Sequence, residues 1–212
     1  GANLVRMDMA VFCHGRRGRA SPRLACSEPG DSDGFVKNPV DPETLREWLM
    51  LGHSKELALR TVEWIGAKRN RFQELVGFMV SEDAVLSARA AWVFGICVET
   101  HPRWLAPVLP VLLDRIERRV HPAVTRNLFR CLQTAPIPGE LEGRILSAAM
   151  AALGGPGPVA EKAFGMTILK RLAGGNAELL EEIRLLVREQ FHEASPAFRA
   201  RAKREFGIGK VR

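Results

Sequence analysis

Glu189 and His192 stand three apart in a helical run, the Glu-x-x-His spacing that sets a carboxylate and an imidazole on one helix face in di-iron bundles. That chemistry needs a second such element and two more Glu on facing helices. Glu99 with His101 and Glu117 with His121 have the wrong spacing, so the pair reads as a solvated face and no metal is expected. Cys13, Cys26, Cys97 and Cys131 lack the close paired spacing of a zinc site. Cys97 and Cys131 fall in apolar helical runs and are expected as buried free thiols. The chain has no Gly-x-Ser-x-Gly elbow, no Walker A loop and no Gly-x-Gly-x-x-Gly after a strand. No catalytic residue and no cofactor is therefore expected.

Basic side chains are the remaining candidates for binding chemistry. The net charge is +7. From Arg184 to Arg212 there are eight Lys or Arg against three Glu, whereas the rest of the chain is close to balanced. Arg199, Arg201, Lys203, Arg204, Lys210 and Arg212 thus form a candidate polyanion site, with a solubilising cap as the other reading. Two smaller clusters, Lys68-Arg69-Arg71 and Arg115-Arg118-Arg119, sit in connections of different type and do not promise one phosphate track. Trp48, Trp64 and Trp92 lie in apolar helix runs and are expected in the core; Trp104, beside Pro102 and Arg103, is the best exposed candidate for stacking.

The elements that would position these residues are helices. Residues 1–41 mix Gly, Pro, Ser and both charges without a period, and read as an irregular N-terminal segment. From Pro42 onward the pattern is helical and all-α, with no alternating strand run. The helices come in pairs: 42–51 with 55–66, 71–80 with 83–99, 102–118 with 122–133, 138–153 with 158–172, and 177–191 with 196–206. Pro102, Pro122, Pro138, Pro158 and Pro196 sit where helices should start, since a helix's first turn has no need of their missing N–H. No apolar run is long enough and free enough of charge to cross a membrane, and no secretory signal pattern is visible, so the cytoplasm is the default compartment.

Aligned, the second helices read ALRTVEWIG, SARAAWVFG, VTRNLFRCL, AEKAFGMTI and RARAKREFG. Each has a basic residue in third place: Arg60, Arg89, Arg126, Lys162 and Arg201, at intervals of 29, 37, 36 and 39 residues. A lone helix pair cannot bury its apolar face, but stacked pairs can, so this internal repeat predicts a solenoid with the five cations as a structural ladder between repeats. Asp83 and Asp114 are candidate acid partners or caps.

The apolar-x-Arg second helix and the Pro-bearing first helix HPRWLAPVLPVLLDRI make the chain resemble HEAT-repeat proteins from Pro42 to Gly207. The resemblance implies a right-handed α-solenoid of about five HEAT-like pairs over 42–207, with 208–212 as a basic tail, and Pro107 and Pro110 bending a first helix. It also implies a non-enzymatic interaction module that takes a peptide or protein on the face lined by second helices. Some small bacterial HEAT proteins similar to this one carry an adenylosuccinate lyase label, but that family's mobile loop with Ser, Met, Pro, Lys and Asn has no counterpart here. The alternative is a nucleic-acid-binding HEAT protein similar to DNA alkylation-repair glycosylases, for which Arg130, Lys170 and Arg171 would have to line the binding face beside an exposed Trp and a carboxylate. No membrane partner is expected.

Overall fold

The protein is described from a computed structural model that covers residues 42–118 and 121–209. The expectations for residues 1–41, with Cys13 and Cys26, for Arg119, and for Lys210 and Arg212 lie outside the described residues.

Ten α-helices and no strand are found among the described residues. They are α1 (Leu45–Met50), α2 (Lys55–Ile65), α3 (Arg69–Met79), α4 (Ala84–Thr100), α5 (Leu109–Glu117), α6 (Pro122–Leu132), α7 (Gly139–Gly154), α8 (Val159–Leu172), α9 (Ala177–Phe191) and α10 (Pro196–Phe206). Local chemistry starts each one. Thr44 and Glu47 form a capping box: Glu47 N–H donates to Thr44 Oγ1 at 3.3 Å, and Thr44 N–H donates to Glu47 Oε2 at 3.1 Å. Ser54, Asn176 and Ser195 cap α2, α9 and α10 in the same sense. Asp83 Oδ1 accepts from Val85 and Leu86 N–H, so it is a cap of α4. Pro122 and Pro196 open α6 and α10, whereas Pro138 and Pro158 stand one place before α7 and α8.

The pairs pack as two layers. Second helices form an uninterrupted row, α2 on α4, α4 on α6, α6 on α8 and α8 on α10. First helices pack α1 on α3, α5 on α7 and α7 on α9. One core cluster runs from Leu45 to Ala202, as stacking of otherwise half-exposed pairs requires. α4 is its centre: Leu86, Ala90, Ala91, Val93, Phe94, Cys97 and Val98 are all buried there, and Phe94 stacks on Phe72 at 5.5 Å. Small residues set the layer spacing. A Cβ on Gly165 would meet Ala149 O at 3.4 Å, so α8 lies close on α7.

The expected long first helix 102–118 is broken. Two 3-10 turns, Pro102–Trp104 and Ala106–Val108, precede α5, because Pro107 and Pro110 each remove a donor and crowd the preceding turn. The remaining α5 has 9 residues against the 16 of α7. Arg144 of α7 bonds Glu117 at the end of α5, so α7 runs on past that end toward Gly154 without a first-helix neighbour from that pair.

Candidate partner-binding surface

The five aligned cations, expected as a ladder, stand in different surroundings. Arg89 Nη1 donates to Leu49 O at 2.9 Å and Met50 O at 3.1 Å, satisfying carbonyls that the end of α1 leaves open. Lys162 Nζ donates to Gln190 Oε1 at 2.7 Å, tying α8 to α9. Arg201 Nη1 donates to Gln133 Oε1 at 2.7 Å and Thr167 Oγ1 at 2.6 Å, which links α10 to α8 and to the end of α6. Arg60 lies over the Trp48 ring, 5.3 Å from its centre. Arg126, expected as the middle rung, is instead exposed and makes no hydrogen bond or ion pair among the described residues, because α6 turns that position to solvent while Asn127 and Leu128 face inward.

Other side chains supply rungs that the alignment did not single out. Arg71 bonds Trp64 O and lies over the Trp64 ring. Arg115 bonds Ser81 O at 2.6 Å and Glu82 at 2.8 Å. Arg144 reaches Asp114 at 2.7 Å and Glu117 at 2.9 Å, so Asp114 is an acid partner rather than a cap. Arg171 Nη1 bonds Leu132 O at 2.9 Å and Ala135 O at 2.7 Å, and Gln190 bonds Leu153 O at 3.1 Å. Most of these bonds end on carbonyls or carboxylates where an earlier helix finishes, which is where unsatisfied acceptors lie. That requirement for donors is the sequence signal that could have found them.

The cations proposed for phosphate contact are partly committed to the fold. Arg130 pairs with Glu99 through Nε and Nη2. Arg171 is bound to the end of α6, and Lys170 lies 3.6 Å from Glu205. No Trp joins them: Trp48, Trp64 and Trp92 belong to α1, α2 and α4, and Trp104 follows α4. Trp104, expected exposed, is half-buried, stacked on His101 at 4.1 Å and tilted against Phe72 at 5.0 Å. Burial in that stack lowers the His101 pKa. Glu189 and His192 are both exposed at the end of α9, and no group of three or more His, Cys, Asp or Glu is gathered among the described residues. Cys97 and Cys131 are buried free thiols, each pushed up to about 12 by burial.

Of the candidate polyanion residues, Arg201 and Arg199 are half-buried, Arg201 in the helix junction, while Lys203 and Arg204 are exposed. Glu205 collects the cluster: Thr167 Oγ1 donates to it at 2.9 Å, Arg204 reaches it at 3.0 Å through Nη2, and Arg201 stands at 3.9 Å. Burial raises its pKa, but the hydrogen bonds from Thr167 and Arg204 and the nearby Lys170 hold it below the usual carboxylate value. Burial, and next to it the Arg204 charge, lowers the pKa of Arg201.

A concavity lies where α5 stops short. Its volume is about 620 Å³, with Ile116, Phe129, Ala148 and Ala152 as apolar lining and His121, Arg144 and Glu161 as polar lining. His121 Nδ1 accepts from Ala123 N–H at 3.1 Å, so this ring caps α6.

A stacked row of helix pairs pinned at helix ends is the architecture of a repeat array. The family model of the HEAT repeat domain matches residues 45–206, and the chain belongs to the HEAT-repeat family. HEAT repeats generally mediate protein interaction and are generally scaffolds rather than enzymes. No curated protein and no solved structure matches the chain. No helix among the described residues is long and apolar enough to cross a membrane.

Proposed function

We propose that this array is a non-enzymatic interaction scaffold that takes a protein or peptide on the surface of its second helices. The observation that supports the reading is the uninterrupted row α2–α4–α6–α8–α10, held in register by side-chain bonds between repeats. Such a row is ordered before a partner arrives, so binding does not have to order it, and preorganisation of this kind favours affinity. The nucleic-acid alternative loses support from Arg130 and Arg171, whose heads are already bonded within the array.

The test is selection of displayed random peptides on the immobilised full chain, followed by photo-crosslinking of the selected peptide and mass mapping of the adducts. Adducts on α4, α6, α8 and α10 are the expected result. Adducts confined to α5, α7 and α9, or a selection that yields no binder tighter than about 100 μM, would overturn it.

A further inference from the structure

Once the helices are sorted by layer, the charge of the last three pairs separates. The second helices α6, α8 and α10 carry nine Lys or Arg and two Glu. The first helices α5, α7 and α9 carry four Arg and eight Asp or Glu. The positive excess is thus a property of one layer over three repeats, and it begins at Arg126, well before the C-terminal run.

Only two acids share the layer with these nine cations. Glu161 is buried beside the α5–α8 concavity. Glu205 has a side chain only 11% exposed, and Lys170, Arg201 and Arg204 share it. Lys170 and Arg204 keep about half of their side-chain surface in solvent, at 47% and 54%. Arg126 and Lys203 are exposed and Arg199 is half-buried, and none of the three has a hydrogen bond or ion pair among the described residues.

From this segregation we infer that the second-helix layer of α6, α8 and α10 binds an acidic segment of a protein partner, with the unbonded Arg126 and Lys203 as its main contacts and the half-exposed Lys170 and Arg204, which share Glu205, beside them. The inference rests on the interaction-scaffold reading and adds the chemistry of the partner. Carboxylate is favoured by the way this layer already uses its cations. Two of the protein's own carboxylates already meet cations of this layer, each taken by the Nε and Nη2 of one Arg: Glu99 by Arg130 and Glu205 by Arg204.

The test is fluorescence anisotropy on the full chain with two probes, a Glu-rich peptide of about 20 residues and a labelled DNA duplex, at low and raised salt. The working variant is Arg126→Ala/Lys170→Ala/Lys203→Ala. The control is Arg46→Ala/Arg184→Ala/Arg188→Ala, which removes as many cations from the first helices. The Glu-rich peptide is expected to bind and to weaken with salt. The working variant should weaken it by about tenfold, at a few-fold per exposed cation, and the control by less than about twofold. Circular dichroism confirms that both variants fold. A peptide that does not bind, or that loses equally with both variants, overturns the inference. Duplex binding that exceeds peptide binding and falls with the working variant also overturns it, in favour of a phosphate backbone. Displayed peptides selected without acidic bias would defeat this inference while leaving the scaffold reading intact; an empty selection would defeat the scaffold reading itself.

Discussion

Arg171→Ala should destabilise the array because it unties α8 from the end of α6. The guanidinium gives two bonds to main-chain oxygens, 2.9 Å to Leu132 and 2.7 Å to Ala135, across 39 and 36 residues of sequence. A hydrogen bond with one charged partner contributes about 1.5–3 kcal/mol. Both bonds here leave one nitrogen, and the residue as a whole is exposed, so water can replace part of what is lost and the two do not add in full. The expected loss is about 1.5–2 kcal/mol, or a fall in Tm of about 3–8 °C for a chain of this size. Urea denaturation followed by circular dichroism reads it as a lower midpoint at unchanged slope. Arg126→Ala, on a side chain that bonds nothing described, should stay within about 0.5 kcal/mol. Equal losses for the two variants, or an Arg171→Ala midpoint within error of the parent, would refute the idea that bonds at helix ends hold the repeats in register.

Other consequences can be checked the same way. Gly165→Leu, which drives a side chain into Ala149 O and Phe129, should cost about 1–3 kcal/mol or more in urea, with the smaller Gly165→Ala closer to neutral because helix propensity offsets the tight contact. Gly207→Ala, at a helix end with φ of 70°, should cost about 1 kcal/mol, and a neutral result would refute the left-handed cap. Cys97 and Cys131 should resist alkylation in the folded chain and react in urea, as read by peptide mass mapping; labelling of the native protein would contradict their burial. Both thiols have folded pKa values raised from 9.0 to about 12, so the unfolded chain releases its protons first, and stability should fall as pH rises above about 9.

The helix pairs were legible because Pro, Gly and capping residues punctuate them and because stacking repeats one register. Asp83 could be read as a cap from its place before an apolar run. The split of 102–118 was harder, since in sequence Pro107 and Pro110 are compatible with either a bend or a break. The bonds between repeats were less legible. A shared position in an alignment says which side chains occupy equivalent turns, but not which ones face a neighbour's open acceptors, so it points to the exposed Arg126 and passes over Arg71, Arg115, Arg144 and Arg171, which meet such acceptors. Trp104 lies near a turn in sequence, yet its stack with His101 and Phe72 depends on how the 3-10 turns fold back. The charge pattern was present in the sequence but hidden from a count along the chain, because the two layers alternate every helix and a long window mixes their opposite signs.

The most direct measurement is a map of amide chemical-shift changes in the full, isotope-labelled chain on titration with the Glu-rich peptide. The account predicts that the largest shifts fall on α6, α8 and α10, led by the neighbours of Arg126, Lys170 and Lys203, and that they shrink as salt is raised. Shifts concentrated on α5, α7 and α9, or none at saturating peptide, would contradict it.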